Sequence, residues 1–362
     1  MSSPNPPTST TDEGNELPKL TERQELILSL IVREHIRDPQ PIGSKTLVEQ
    51  FKLGVSSATV RNEMAILEQY GLIYAPHTSA GRVPTQHGYR YFVRRLLTGG
   101  DLSPYERRKI AQAFRQAPAD PEEWMRVAAM ILSRTSQTAA LVTPPRAVEN
   151  RFKHLELIST QGRMVLMVLV LKGGSVHQQV LTLAEPVPQP ILSQTAAVIN
   201  RICSGQTADQ MRARVRALPD ELSREVCELV ADAMAQADQQ GARDVYRYGL
   251  SESLATFSED EAQQAVRVME EQSLLDGILR ETLAGDKPDV RVVVAGEGRW
   301  EDLSHLSMVL GRYGTPRARG ALGVLGPTRM RYGRAISTVR YVANLMTGLI
   351  DDIYGESDSP SE

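Results

Sequence analysis

Apolar residues near the start of the chain recur at helical spacing in three short stretches. Leu26, Leu30 and Ile31 follow the pair Thr21 and Gln24, whose spacing is that of a capping box. This first helix is predicted to run to about Arg37, where Pro39 and Pro41 stop it. Ser44 is expected to cap a second, shorter helix through Leu47, Val48 and Phe51, and Gly54 to supply the turn after it. Ser56 or Ser57 caps a third helix to about Tyr70, with Gly71 at the left-handed position beyond its end. Leu72 to Tyr74 then reads as a strand, and Ala75 to Thr85 as a hairpin of small, polar and basic residues. Two helices, a tight turn, a third helix and strands follow in the order of a winged helix-turn-helix.

The third helix has one committed face. Val60, Met64 and Leu67 fall together at i, i+4 and i+7. Ala58, Asn62, Ala65 and Gln69 point the other way, with Thr59 and Arg61 on the flanks. Small residues let a helix axis settle deep in a major groove. Asn pairs with adenine, Arg with guanine, and an alanine methyl can touch thymine. Taken alone, the helix fits a protein-contacting surface equally well. The hairpin moves the reading toward DNA, because it carries several donors and almost no acid. Arg82 is expected along a phosphate or in a minor groove, with His77, Thr78 and Ser79 donating to backbone oxygens. Tyr89, Arg90, Tyr91, Arg94 and Arg95 follow on a helix; reaching the flanking backbone and packing the wing are equal readings for them.

Beyond Gly99-Gly100-Asp101 the period changes. Helices are predicted over 104–117 and 121–137, then strands over 138–143, 153–159, 163–172 and 176–184. Met164 to Leu171 has no alternation, which predicts a central strand covered on both faces. After Pro186, Pro188 and Pro190 come helices over 191–203, 207–216 and 220–240, a short strand near 244–250, and a long amphipathic helix over 260–284. Strands resume at 290–295, 304–311 and 319–325, and a last helix covers about 332–350. Strands, mostly helical residues, then strands again predict one sheet interrupted by an insertion, a candidate dimer contact that could equally be a lid or a scaffold.

Composition narrows the class. Of 362 residues, 41% are hydrophobic and 23% charged, which suits a soluble globular chain of two or three domains. No run is long enough to span a bilayer, and the start lacks the pattern of a signal peptide. The net charge of -3 hides an asymmetry: residues 18–97 hold 11 Lys+Arg against 7 Asp+Glu, and the acidic excess lies elsewhere. Residues 1–17 and the end beyond about 353 are polar and acidic, and are expected to be disordered tails. Cys203 and Cys227 make neither CxxC nor a His/Cys metal spacing and read as buried thiols of a cytoplasmic protein. Gly296-Glu297-Gly298 lacks the third glycine of a dinucleotide loop. Arg329 and Arg331, at a turn leading into the last helix, could bind an anion or simply cap and pack it. His154, His177 and His305 have no ligand spacing, and no nucleophile, base and orienter assemble. Neither an enzyme, a metal nor a cofactor is expected. A small-molecule effector in the body of the protein, and an enzyme with an appended winged helix, stay as the alternatives to a plain DNA-binding repressor.

Four blocks carry a resemblance. They are Pro41-Ile42-Gly43-Ser44-Lys45-Thr46-Leu47, Val55 through Met64, Pro76 through Thr85, and Gly326-Pro327-Thr328-Arg329-Met330-Arg331-Tyr332. In this order they resemble the HrcA family of bacterial heat-inducible transcription repressors, from about Leu20 to Ile350; the tail 1–17 lies outside the pattern. The resemblance implies an α+β multidomain fold: an N-terminal winged helix (18–98), a GAF-like α/β domain in two parts (103–184 and 290–352), and an inserted, mostly helical dimerisation domain (185–289). It further implies a homodimer on the CIRCE inverted-repeat operator upstream of chaperone operons, with activity supported by the GroE chaperonin. The residues then expected on DNA are Ser44, Lys45, Ser56, Ser57, Thr59, Arg61, Asn62, His77, Thr78, Ser79 and Arg82.

Overall fold

The structure, a computed structural model, describes residues 17–77, 81–97, 102–147, 150–172, 175–239, 245–255, 257–271, 274–275, 277–279, 290–295, 303–315 and 318–354. The chain is mixed α/β and divides into two compact units, Met1–Gly99 and Gly100–Glu362.

In the first unit, α1 (Glu22–Arg37) begins at a capping box: Gln24 N–H donates to Thr21 Oγ1 at 3.3 Å, and Thr21 N–H to Gln24 Oε1 at 3.0 Å. It ends at Asp38, whose extended backbone is what a residue before proline prefers. The second helix, α2, is Ser44–Phe51. Gly43, not Ser44, occupies its cap position and makes no side-chain bond; Ser44 is the first helical residue and is turned inward, 8% exposed. The third helix, α3, is Ser57–Gln69, and Ser56 is its cap. Beyond α3, Gly71 (φ +66°) donates to Glu68 O and Leu72 to Leu67 O, the paired bonds of a Schellman turn. Ile27, Leu28, Ile31, Val32, Leu47, Val60, Met64, Leu67, Leu72 and Ile73 form the buried core. Each such side chain contributes about 1.5–3 kcal/mol of burial, which holds helices too short to persist alone.

Strands β1 (Ile73–Tyr74) and β2 (Val83–Pro84) pair antiparallel. Ile42 adds a third, isolated rung: its N–H donates to Arg82 O at 3.0 Å, and Arg82 N–H to Ile42 O at 2.8 Å. Thr85 caps α4 (Gln86–Tyr91), which runs into a π-helical turn over Phe92–Leu96.

Among the described residues, the second unit holds two sheets, and here the structure departs from the sequence reading. Helices α5 (Pro104–Gln116) and α6 (Pro121–Ser136) lead to β3 (Ala139–Val142) and the short β4 (Arg146–Ala147). Then β5 (Phe152–Gln161), β6 (Met164–Leu171) and β7 (Val176–Thr182) form a separate three-stranded antiparallel sheet in that order. Its core is shared with α7 (Gln189–Cys203), α8 (Ala208–Arg214) and α9 (Glu221–Gln239). The chain then returns: β8 (Tyr246–Tyr248) pairs with β3. After α10 (Leu250–Leu254) and α11 (Glu259–Glu270) come β9 (Val290–Val294), β10 (Leu306–Gly314) and β11 (Ala318–Pro327), then α12 (Tyr332–Tyr354). The larger sheet runs β8-β3-β11-β10-β9, with β4 also on β11. One face (Ala139, Leu141, Leu306, Met308, Leu310) packs on α11 and on Leu275, Ile278 and Leu279. The alternate set, including Ala140, Val142, Val309 and Val324, is also buried, and α6 and α12 pack on this sheet.

The strands of 153–184 therefore do not belong to the interrupted sheet, and the separate module starts before them and ends near β8. Apolar period identifies strands but not their partners. The long helix predicted over 260–284 is interrupted at Glu271, whose backbone is extended (ψ 93°). The expectation that β6 is covered on both faces also fails. Val165, Met167, Leu169 and Leu171 are buried against the helices, while Leu166, Val168 and Val170 are only partly buried on the other face. The cross-strand row Ile158–Leu166–Val180 lies on that outer face, and Ile158, Met164, Val176 and Val180 are exposed. The β5 edge is covered by side-chain amides of α7. Asn200 pairs both ways with the Leu155 backbone, at 2.8 and 3.0 Å, and Gln189 accepts from Ser159 N–H and donates to Leu157 O. The β7 edge carries no Lys, Asp, Glu or Pro, the residues that usually guard an open edge.

Candidate nucleic-acid interface

Ser56 sets the entry of α3. Its Oγ accepts from Thr59 N–H at 3.1 Å and lies 2.9 Å from Thr59 Oγ1. Val60, Met64 and Leu67 anchor the helix in the core, so Ala58, Arg61, Asn62, Ala65 and Gln69 are left exposed. Arg61 and Asn62 stand on the open face; Thr59 and Ser57 are half-buried at its start.

Both acids of α3 are held by partners on neighbouring elements. Glu63 accepts from Gln24 Nε2 at 3.0 Å and lies 3.5 Å from Arg23 Nη1. Glu68 accepts from Ala75 N–H at 3.2 Å and is ion-paired with Arg82, Nε at 3.1 Å and Nη2 at 2.9 Å. Carboxylates that would repel a phosphate backbone are thereby neutralised by the neighbouring elements. Sequence spacing missed this, because the partners of Glu63, Arg23 and Gln24, lie in a different helix about forty residues earlier.

The wing is placed differently from expectation. Arg82 does not extend freely toward solvent: its guanidinium is held on α3 by Glu68, and its backbone is tied to Ile42. Its position in the hairpin fixes the wing against the helix. His77 is exposed, and Thr78 and Ser79 lie outside the described residues. Lys45 is well exposed on α2, 3.8 Å from Glu49, whereas Ser44 is largely withdrawn into the unit. The structure thus brings Ser56, Ser57, Thr59, Arg61 and Asn62 together on one helix with Arg82 bound to its far end, and sets Lys45 on the preceding helix. Ile42 is the element sequence reasoning missed; the one local hint is Gly81. A Cβ there would lie 2.3 Å from Ile42 C and 2.4 Å from its carbonyl oxygen.

A basic cluster follows on α4 and the π-turn. His87 is held below its ordinary 6.5, first by burial and then by the charges of Arg90 and Arg94. A base with a depressed folded pKa binds fewer protons folded than unfolded. Its penalty is absent above 6.5 and sets in as pH falls through 6.5 toward the folded value. The melting temperature of the first unit is therefore expected to drop between pH 7 and pH 5.5. His87→Asn should flatten that part of the profile; an unchanged profile would remove His87 as the cause.

The other candidates do not form a site. Gly296-Glu297-Gly298 lies outside the described residues. Arg329 donates to Glu261 Oε1 at 2.7 Å, and Glu261 also closes the capping box of α11, so the loop before α12 is tied to α11 by a largely buried ion pair. Among the described residues, no group of three or more His, Cys, Asp and Glu could hold a metal, and no helix is long and apolar enough to cross a membrane.

The family described as HrcA protein C terminal domain matches residues 122–336. The heat-inducible transcription repressor HrcA of Roseiflexus castenholzii is 41% identical over 346 residues, covering 93% of this chain and 96% of that protein. The protein of the same name from Herpetosiphon aurantiacus is 42% identical over 358 residues, with 95% and 99% covered. A crystal structure titled only as a hypothetical protein at 2.2 Å resolution superposes with a TM-score of 0.55 at 22% identity, covering 92% of this chain and 99% of that one; the likeness is of fold.

Proposed function

Because the chain belongs to the HrcA family of heat-inducible transcription repressors, we propose that it represses chaperone operons by presenting two copies of α3 to an inverted-repeat operator. The observation that carries this reading is the exposed face of α3. It joins Arg61 and Asn62 to two small alanines, while both carboxylates of the helix are tied to neighbouring elements. That surface fits a major groove: small at the centre, with bidentate donors beside it and no free acid. We read the first unit as a winged helix, with Ser56, Ser57, Thr59, Arg61 and Asn62 at the groove, Lys45, His77, Thr78 and Ser79 toward the backbone, and Arg82 holding the wing. The larger sheet with its flanking helices is the GAF-like domain. The module β5–β7 with α7–α9 is the inserted dimerisation domain, so its borders fall near 150 and 244 instead of 185 and 289.

An inverted repeat requires a two-fold protein, with half-site spacing set by the dimer. The outer face of the β5–β7 sheet is the surface we assign to a second copy, since it is apolar along Ile158–Leu166–Val180 and continues to an uncharged strand edge. The operator class (CIRCE) and the support by GroE are carried from the family. A repressor whose native state is marginal without help would have an active fraction that follows chaperonin supply.

The primary test is a footprint of purified protein, with and without GroE, on the DNA upstream of its host's chaperonin operon. Protection of an inverted repeat that strengthens with GroE is expected; protection of no such element would sink the proposal. Arg61→Ala is expected to cost about 1–3 kcal/mol on operator DNA and much less on random DNA. An equal loss on both would make Arg61 a phosphate contact. Arg82→Ala should weaken binding while leaving the salt slope unchanged, because its charge is already matched by Glu68. A slope lower by about one unit would put Arg82 on a phosphate instead.

A further inference from the structure

The two cysteines of the chain lie side by side. Cys203 ends α7 and Cys227 sits within α9, and their sulfurs are 4.0 Å apart in the core of the β5–β7 module, both fully buried. A disulfide needs about 2.05 Å between sulfurs, so each must move by roughly 1 Å, within reach of side-chain rotation and a small helix shift. Neither thiol serves the DNA-facing surface. Both lie in the module we assign to self-association, so the consequence drawn below for the repressor rests on that assignment; the chemistry does not.

We propose that Cys203 and Cys227 are a reversible oxidation site, closed to a disulfide by hydrogen peroxide. Three features favour the pair over two inert buried thiols. Their sulfurs face each other with nothing between. Cys203 is on the last turn of its helix, next to exposed Ser204, so only the end of α7 separates its sulfur from solvent. Cys203 is also the easier to ionise, because Cys227 hydrogen-bonds to it and the Arg214 guanidinium stands near, while Cys227 is pushed up by the same contact. The Cys203 thiolate attacks one peroxide oxygen, which becomes its sulfenic acid as hydroxide leaves. The Cys227 sulfur then attacks the Cys203 sulfur, the S–OH bond breaks and water departs. In sum, two thiols and one peroxide give one disulfide and two waters. The bond staples α7 to α9 behind the sheet and closes a loop of about two dozen residues in the unfolded chain, which raises the folded fraction. An oxidised repressor would then depend less on folding assistance.

The test treats the full chain with hydrogen peroxide under native conditions, removes the excess with catalase, alkylates in denaturant and maps peptides by mass. The expected result is a cross-linked pair of Cys203 and Cys227 peptides, lighter by two hydrogens than their sum and restored by dithiothreitol. The unfolding midpoint of the oxidised chain should rise by about 5–10 °C. Cys203→Ser and Cys227→Ser should show neither change, and reversal by dithiothreitol in the unaltered chain keeps the test independent of how those variants fold. Two thiols still open to alkylation, sulfinic acid in place of the cross-link, or a cross-link that leaves the midpoint unchanged or lower would each overturn the proposal. An intact cross-link with unaltered GroE dependence would overturn only the consequence for the repressor.

Discussion

Gly81→Ala is expected to destabilise the first unit by about 3 kcal/mol and to abolish operator binding at concentrations where the unaltered chain binds fully. At Gly81 a Cβ would sit 2.3–2.7 Å from three backbone atoms of Ile42, and backbone cannot swing aside as a side-chain tip can. Relief requires Ile42 to withdraw, which breaks its two hydrogen bonds to Arg82. Arg82 in turn holds Glu68, so the wing and the far end of α3 loosen together. Gly71 provides the control. Its φ is +66° but nothing lies within 4 Å of its Cβ position, so alanine there costs about 1–2 kcal/mol of backbone strain and asparagine less. Asparagine should rescue position 71 and fail at 81. Denaturant unfolding of the four variants decides it: equal losses at both positions, or rescue by asparagine at 81, would show that close approach to Ile42 is not what demands the glycine. Gly88 should behave like Gly81, since its Cβ would fall 2.0 Å from Leu72 O, even though alanine is the better helix former.

If the β5–β7 sheet carries the proposed dimer contact, Val180→Lys is expected to leave monomers and to lower operator affinity by about 10²–10⁴-fold, the advantage that linking two half-site contacts provides. Val180 is 56% exposed, so a lysine at this position costs the fold of one chain little. On a surface shared with a second copy, it would bury an ammonium against the Ile158–Leu166 row, and two-fold symmetry would do so twice. Sedimentation equilibrium and operator titration read the outcome, with the melting temperature as the check on folding. Lys45→Ala is a useful companion: it should weaken DNA binding slightly and leave the oligomeric state alone. A Val180→Lys chain that stays dimeric at unchanged affinity would move the self-association surface off this sheet.

Much of the first unit is legible in the sequence because its determinants are local. Capping residues Thr21 and Ser56, the apolar stripe Val60–Met64–Leu67 and the left-handed Gly71 each act within one turn of the helix they define. That same stripe determines that Arg61 and Asn62 face outward, since a helix with one side in the core has its other side free. The strands of the second unit are equally legible as strands. Their partners are not, because β3 meets β8 and β11, and such pairings are chosen by what else must be buried rather than by any signal in the strand itself. For this reason 153–184 left the expected sheet for one of its own, and the apolar run of β6 acquired an open face that its composition conceals. The tertiary structure alone decided the Ile42–Arg82 rung, the inward turn of Ser44, the neutralisation of Glu63 and Glu68, and the meeting of Cys203 with Cys227. Apart from the burial of Ser44, these join positions distant in sequence, where the chain's local chemistry says little and packing brings the groups together.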